Sequence, residues 1–448
     1  MNLYLRRTVR LADPRPEPTA ADLSLPERLF IPLRQHSGPA AEAIVEPDQV
    51  VSEGELIGRP DPEEFESAPV HAPCPGKVVR LVNKPLIGGQ TGPCVELEPT
   101  GPPSEVPGEL PQSHHEPDPG QIFGRLAAAG VVASGIQALP VIRDMTPYDQ
   151  DRFLDRPEGT EVKSIYTLIV SGVDREPGLA HQRHLAQANH PALSRGINAI
   201  HTLSGAAKTV VVGDSRGGEA RSLAGLLDHG LRSAMTVDGG LYPNGLKPVL
   251  IKTVTGDETP LPLGDPREVG AFFVRLETAY WVGLAVALGR PQTGKWITVT
   301  SPDGRCRVMC VMLGTPVGHI LENLGVSPAQ GGKVIIGGML SGYTIYDLQT
   351  PITKQMGGVV VLDPDQVVRF EPQPCIGCGL CARVCPTRLV PGMLSKYCEY
   401  GRFEAAEESN LAHCIECGLC AYVCPAKRPM VHYFRHAKEE LLAGRTAQ

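Results

Sequence analysis

The pattern Cys-x2-Cys-x2-Cys-x3-Cys-Pro occurs twice near the C-terminus, as CIGCGLCARVCP from Cys375 and as CIECGLCAYVCP from Cys414. No other feature narrows the folding of this chain as much, because thiolates at this spacing gather around an inorganic centre and that centre becomes part of the core. Three closely spaced cysteines wrap one cube of iron and sulfide, and the fourth, followed by proline, is turned toward the other cube. By that rule one [4Fe-4S] cluster takes Cys375, Cys378, Cys381 and Cys424, and the other takes Cys414, Cys417, Cys420 and Cys385. Cysteine pairs also hold zinc, but a zinc ribbon needs neither the third cysteine nor the Cys-Pro ending, and both recur here. Gly377, Gly379 and Gly418 suit a backbone that turns sharply around a cube and offers amide hydrogens to its sulfurs.

Nine of the thirteen cysteines lie at or beyond position 375, a distribution that indicates metal binding in a reducing compartment and not a disulfide scaffold. The net charge of -7 supplies no basic field for nucleic acid, so that partner class is excluded. The longest apolar runs, 282–288 and 359–362, fall short of the roughly 20 residues that a membrane span needs. The first residues lack the apolar core of a secretory signal, so a cytoplasmic chain with no transmembrane span is expected.

A length of 448 residues exceeds what one hydrophobic core usually covers. Composition divides the chain into a proline-rich arm (1–28), a small all-β unit (29–100), a Pro/Gly/Ser/His-rich linker (101–120), an α/β region (121–290), a β-grasp-like unit (291–365) and the cysteine-rich tail (366–448). The runs YTLIVSG and TVVVGD read as strands, and 178–200 and 218–231 read as helices. Cys74 and Cys94 read as core residues, as do Cys306 and Cys310, which share one strand face; His114 and His115 read as solvent-facing. Between the cysteine motifs, residues 386–413 look helical. Cys398 is a spare thiol there, and the tail from Met430 reads as one amphipathic helix on which His432, Arg435 and His436 are surface or packing residues.

The phrases VEPDQVVSEGELIG and APVHAPCPGKVVRLV resemble the barrel-sandwich hybrid of biotinyl and lipoyl domains, without the lysine that carries their swinging arm. IPLRQHSGPAA (31–41), LYPNGLKPVLIKTVTG (241–256), LGTPVGHILENLG (313–325) and IIGGMLSGYTIYDLQTPITKQMGGVVVL (335–362), followed by the twin motifs, resemble the RnfC family, the C component of the Rnf complex, over nearly the whole chain. That resemblance implies a multidomain α+β fold: a barrel-sandwich hybrid, an α/β domain like the flavin subunit of respiratory complex I, a β-grasp-like (SLBB) unit and a helical two-cluster ferredoxin domain.

In that family a loop G-x-G-G-x-G-F-P holds the flavin phosphate, and the matching stretch here, GVVASGIQALP (130–140), keeps only Gly130, Gly135 and Pro140. The family phrase N-A-A-E-x-E-P becomes SGVDREP (171–177), where Glu176 survives. Gly130, Gly135 and Glu176 are thus the remnant of a nucleotide site, and bulky Ile136 and Gln137 predict that ordinary FMN and NADH binding is weakened or lost. Arg143, Arg175 and the phrase GDSRGGE (213–219) are the alternative holders of a nucleotide.

The resemblance implies an iron-sulfur protein that relays single electrons between a soluble carrier, a ferredoxin or an NADH-linked donor, and the membrane subunits of an ion-translocating complex. It would sit peripherally on the cytoplasmic side of the membrane. Two alternatives stand beside it: a flavin-containing NADH dehydrogenase subunit, and a docking scaffold in a quinone-linked assembly.

Overall fold

Short β-branched runs broken by Gly, Pro and Asp close the N-terminal unit into two facing sheets. The computed structural model describes residues 8–10, 16–17, 23–36, 38–61, 67–111, 118–133, 141, 164–216, 232–260, 265–368, 371 and 373–446. Strands β1 (Leu29–Pro32), β2 (Glu42–Ala43), β3 (Val50–Val51), β4 (Leu56–Arg59), β5 (Val70–His71), β6 (Gly76–Pro85) and β7 (Thr91–Pro99) form sheets ordered β1-β7-β6-β3 and β2-β4-β5. Leu29, Ile31, Val51, Ile57, Val78 and Leu97 fill the space between them, and Cys74 and Cys94 are fully buried.

The α/β unit is a four-stranded parallel sheet; three of its strands read as largely apolar runs because both faces are covered, whereas the edge strand at 232–237 is more polar and partly exposed. Helix α1 (Pro119–Ala129) precedes β8 (Thr167–Ser171). Then come α2 (His181–Ala188), α3 (Pro191–Ser204), β9 (Lys208–Asp214), β10 (Arg232–Val237), α4 (Lys247–Thr255), β11 (Ala271–Arg275) and α5 (Leu276–Leu288). The sheet order is β10-β9-β8-β11. Leu126, Leu193, Ile197 and Leu284 pack on one face, and Leu250 and Ile251 on the other. The helical pattern at 178–200 is two helices, since Asn189 at φ 48° ends α2 and Pro191 starts α3 with His190 as its cap. The pattern at 218–231 and the pair His114–His115 lie outside the described residues.

Helices α3 and α5 touch backbone to backbone. A Cβ at Gly196 would lie 1.7 Å from the Ala279 carbonyl, and one at Gly283 would lie 1.9 Å from that of Ala192. Neither neighbour is a side chain that can rotate away, so Gly283→Ala is expected to destabilise this unit by about 3 kcal/mol. An unchanged denaturation midpoint would show instead that the helices slide apart freely.

The next unit contains β12 (Gly294–Thr300), β13 (Cys306–Met312), α6 (Val317–Asn323), β14 (Lys333–Ile336), β15 (Tyr343–Ile345) and β16 (Gly358–Leu362). Its sheet runs β15-β14-β16-β12-β13, and the arm residues Pro16–Glu17 add a parallel edge strand against β13. Val9 and Arg10 of the same arm pair antiparallel with Leu241 and Tyr242 of the α/β unit, so the arm crosses two units. One expectation is met only in part on β13. Cys306 is buried with Ala180 and Val308, whereas Cys310 leaves part of its surface exposed while its sulfur, like the Trp281 ring, lies beside Gly294. The two units also share a fully buried ion pair, in which Lys295 donates to Glu277 at 2.6 Å while the other carboxylate oxygen accepts from the Trp296 amide.

The tail is helical, as its sequence suggests: α7 (Leu380–Val384), α8 (Pro391–Glu399), α9 (Phe403–Glu408), α10 (Leu419–Tyr422) and α11 (Met430–Thr446). Its core combines Leu394, Ala406, Leu411 and Phe434 with Cys385, Cys398 and Cys420. Cys398 is buried in α8, and the ring of His436 packs edge-on against Phe403.

Candidate metal centre

Each motif is a loop that turns into a short helix, and the turn requires a left-handed residue just before the helix. Gly379 (φ 73°) precedes α7 and Gly418 (φ 80°) precedes α10, which places the third cysteine of each motif, Cys381 and Cys420, on a first helical turn. Gly377 (φ 69°) supplies a second such turn in the first motif. Its counterpart Glu416 adopts φ 54°, a conformation that favours glycine. Two cations hold it there, since Glu416 accepts from Lys438 at 2.8 Å and from Arg435 at 2.9 Å. Burial pushes the Glu416 carboxyl up, but Lys438 and Arg435 prevail and keep it below the usual range.

Cys385 ends α7, where Pro386 prevents the helix from continuing. It is buried, and it borders the same cavity as Cys414, Cys417 and Cys420, with Leu389, Val431 and Phe434 as apolar walls. Among the described residues no three His, Cys, Asp or Glu side chains are gathered as tightly as a single ion requires. A sulfur-lined, otherwise apolar cavity with left-handed turns at its mouth fits a cube of iron and sulfide. Burial pushes the Cys414 thiol up to about 11 and the Cys417 thiol up to about 12, and it raises Cys420 as well. Thiolates at such positions need a compensating positive charge, which bound iron provides.

The first motif is more open. Cys375 and Cys381 are half-buried and Cys378 is exposed. Both half-buried sulfurs face Gly392 at the start of α8, where a Cβ would stand 3.7 Å from Cys375 Sγ and 3.4 Å from Cys381 Sγ. Cys424, just beyond α10, is half-buried.

The second motif is docked on the rest of the protein. Buried Tyr242 donates its hydroxyl to the Cys417 carbonyl at 2.6 Å, Lys438 donates to the Cys414 carbonyl at 2.7 Å, and a Cβ at Gly418 would lie 2.7 Å from the Leu340 carbonyl. Arg435 reaches the Ser341 carbonyl at 3.0 Å and lies 4.5 Å from the centre of the Tyr343 ring. Sequence reasoning does not single out Tyr242, Gly392, Glu416 or Lys438. Only Glu416, a glutamate where the companion motif has glycine, carries a readable signal.

The remnant nucleotide residues occupy separate contacts. Gly130 (φ 60°) caps α1, and its carbonyl accepts from Lys354 at 2.7 Å; burial pulls that ammonium down to about 7. The Glu176 carboxylate accepts from the amides of Leu340 (2.8 Å) and Ser341 (3.1 Å) and from the Ser341 hydroxyl. Asp174 caps the start of α2 through the Gln182 amide at 2.9 Å, and burial pushes its carboxyl up to about 6. Gly135, with 134–140, Arg143 and 217–219, lies outside the described residues. No helix among the described residues is long and apolar enough to cross a membrane.

Residues 16–102 match the RnfC barrel sandwich hybrid domain, and residues 367–425 match the 4Fe-4S dicluster domain. The C component of the ion-translocating oxidoreductase complex of Rhodobacter capsulatus is 30% identical, covering 94% of this chain and 79% of the relative. Its counterpart in the proton-translocating ferredoxin:NAD(+) oxidoreductase complex of Clostridium ljungdahlii is 30% identical, covering 93% of this chain and 88% of that one. A chain of the NAD+-reducing [NiFe]-hydrogenase in the H2-reduced state superposes at a TM-score of 0.46 and 17% identity, over 72% of this chain and 63% of its own. On the identity and coverage of the two relatives, the chain belongs to the RnfC family, the C components of the Rnf ion-translocating oxidoreductase complexes.

Proposed function

We propose that this protein relays single electrons through two [4Fe-4S] clusters, as the iron-sulfur subunit of a membrane-associated, ion-translocating oxidoreductase complex. The observation that carries the reading is the cavity bordered by Cys385 from one motif and Cys414, Cys417 and Cys420 from the other. Cys375, Cys378, Cys381 and Cys424 would hold the first cluster, and the cavity set would hold the second. Bound clusters supply reversible one-electron chemistry with no bond made or broken. The chain fixes their relative placement, since α7 links the first motif directly to Cys385. Leu389, Val431 and Phe434 exclude water from the inner site, and Tyr242 and Lys438 hold the carbonyls of Cys417 and Cys414.

Attachment to the membrane comes through partner subunits of the complex, on its cytoplasmic side, and a soluble carrier supplies or removes the electrons. Anaerobic purification should yield about eight irons and eight acid-labile sulfides per chain, two cubes' worth, with no flavin. Zinc in place of iron would overturn the relay. One FMN per chain together with NADH oxidation would transfer the leading activity to the α/β unit.

A further inference from the structure

The two motifs are nearly identical in sequence yet differ in surroundings, and corresponding residues show it. Leu419 of the second motif is fully buried, whereas Leu380 at the same place in the first is 36% exposed. Ile415 packs near Tyr242 and Leu419, whereas Ile376 is 71% exposed. Val390 and Met393, 51% and 40% exposed, flank Gly392, the residue against which the Cys375 and Cys381 sulfurs lie. Four large exposed apolar side chains therefore stand within two residues of Cys375, Cys381 or Gly392.

Charge marks the rim of the same face. Between positions 373 and 396 every charged residue is basic, namely Arg383, Arg388 and Lys396, although the whole chain carries -7. All three are exposed. Arg383 stands three residues after Leu380 on α7, and Lys396 three after Met393 on α8, so each lies beside its apolar neighbour on the helix surface. Glu399, one turn beyond Lys396, is taken up by Arg428 at 2.6 Å. An apolar centre inside a basic rim suits an acidic protein surface: the charges steer and orient the encounter, and the small apolar contact keeps it brief. Electron tunnelling falls steeply with distance, so a carrier must approach an exposed centre, and of the two motifs only the first is open in this way.

We propose that the face formed by Ile376, Leu380, Val390 and Met393, rimmed by Arg383, Arg388 and Lys396, is the docking site of a soluble, acidic, one-electron carrier protein. The inner, second-motif centre then serves the body of the protein. This rests on the relay described above. At docking one electron passes between carrier and first-motif centre; one is oxidised as the other is reduced, and no proton or bond moves.

The test uses the full-length, iron-loaded protein and an acidic plant-type [2Fe-2S] ferredoxin as probe. Binding is measured by biolayer interferometry and electron exchange by stopped flow. Wild type should bind at low salt and lose most of that binding near 1 M salt, where the screening length is about 3 Å. The Arg383→Glu/Lys396→Glu double variant should bind about tenfold more weakly at low salt, and Val390→Asp should weaken binding at every salt concentration. Iron content and reduction by dithionite should be unchanged in both variants.

Equal binding by both variants, equal binding of basic cytochrome c by the wild type, or wild-type failure to bind the ferredoxin would each overturn the docking site. Clusters that dithionite cannot reduce would overturn the relay instead, and the binding measurements would still decide the surface.

Discussion

Replacing Cys385 by alanine is expected to abolish the cluster of the second motif, although Cys385 belongs to the first. Its thiol borders the cavity of Cys414, Cys417 and Cys420, and its place at the end of α7 is set by Pro386. With the fourth thiolate gone, no further cysteine lines the cavity; beside apolar side chains such as Leu389, Val431 and Phe434 it has only the weak donor Thr387 and Glu416, whose carboxylate is held by Lys438 and Arg435. The single variant should keep about four irons per chain, one cube's worth.

Double variants show which ligands work together. Under the crossed arrangement Cys375→Ala/Cys385→Ala damages both clusters and should retain almost no iron. Cys385→Ala/Cys417→Ala damages one and should retain about four irons. If the first of these kept about four irons, each motif would hold its own cluster and the crossed assignment would be wrong.

Stripping iron and sulfide should unfold the C-terminal helices while the three preceding units stay folded. The core of this region is partly made of cysteine, since Cys385, Cys398 and Cys420 pack with Leu394, Leu411 and Phe434. Helix α7 has five residues and α10 has four, far below the roughly 12–15 that make an isolated helix even marginal. Without the clusters the two motif segments are left with side-chain packing and isolated hydrogen bonds such as that from the Gln373 amide to the Ala426 carbonyl at 3.1 Å. Hydrogen exchange on the apo-protein should show protection lost across 373–446 and retained in β6, β7, β8 and β9. Equal protection of the tail with and without iron would mean that its packing suffices by itself.

What can be read from sequence is what chemistry dictates locally. Thiolates around a cube demand fixed spacings, strands buried on both faces demand apolar runs, and turns around the motifs demand glycine at positions such as 379 and 418. Contacts between residues far apart in the chain leave no such trace. Tyr242 meets Cys417 across 175 positions, and Glu176 meets Ser341 across 165. Gly196 and Gly283 look like ordinary helix-weakening residues until the two helices are seen to touch at them. Cys310 shows the converse limit: a strand face has a period of two, but that period does not tell that its sulfur lies beside Gly294 while part of the residue stays exposed. Of the remnant nucleotide residues, Gly130 and Glu176 have readable positions but unreadable partners, Lys354 and the loop at 338–341.

The arm's two pairings have a consequence for the order of events during synthesis. Ribosomes deliver chains N-terminus first, and units generally fold as they emerge. Val9 and Arg10 must wait for Leu241 and Tyr242, and Pro16 and Glu17 must wait for Cys306 and Arg307. Strands made before the units they pair with are therefore among the last to find their places, and they close over units that have already formed.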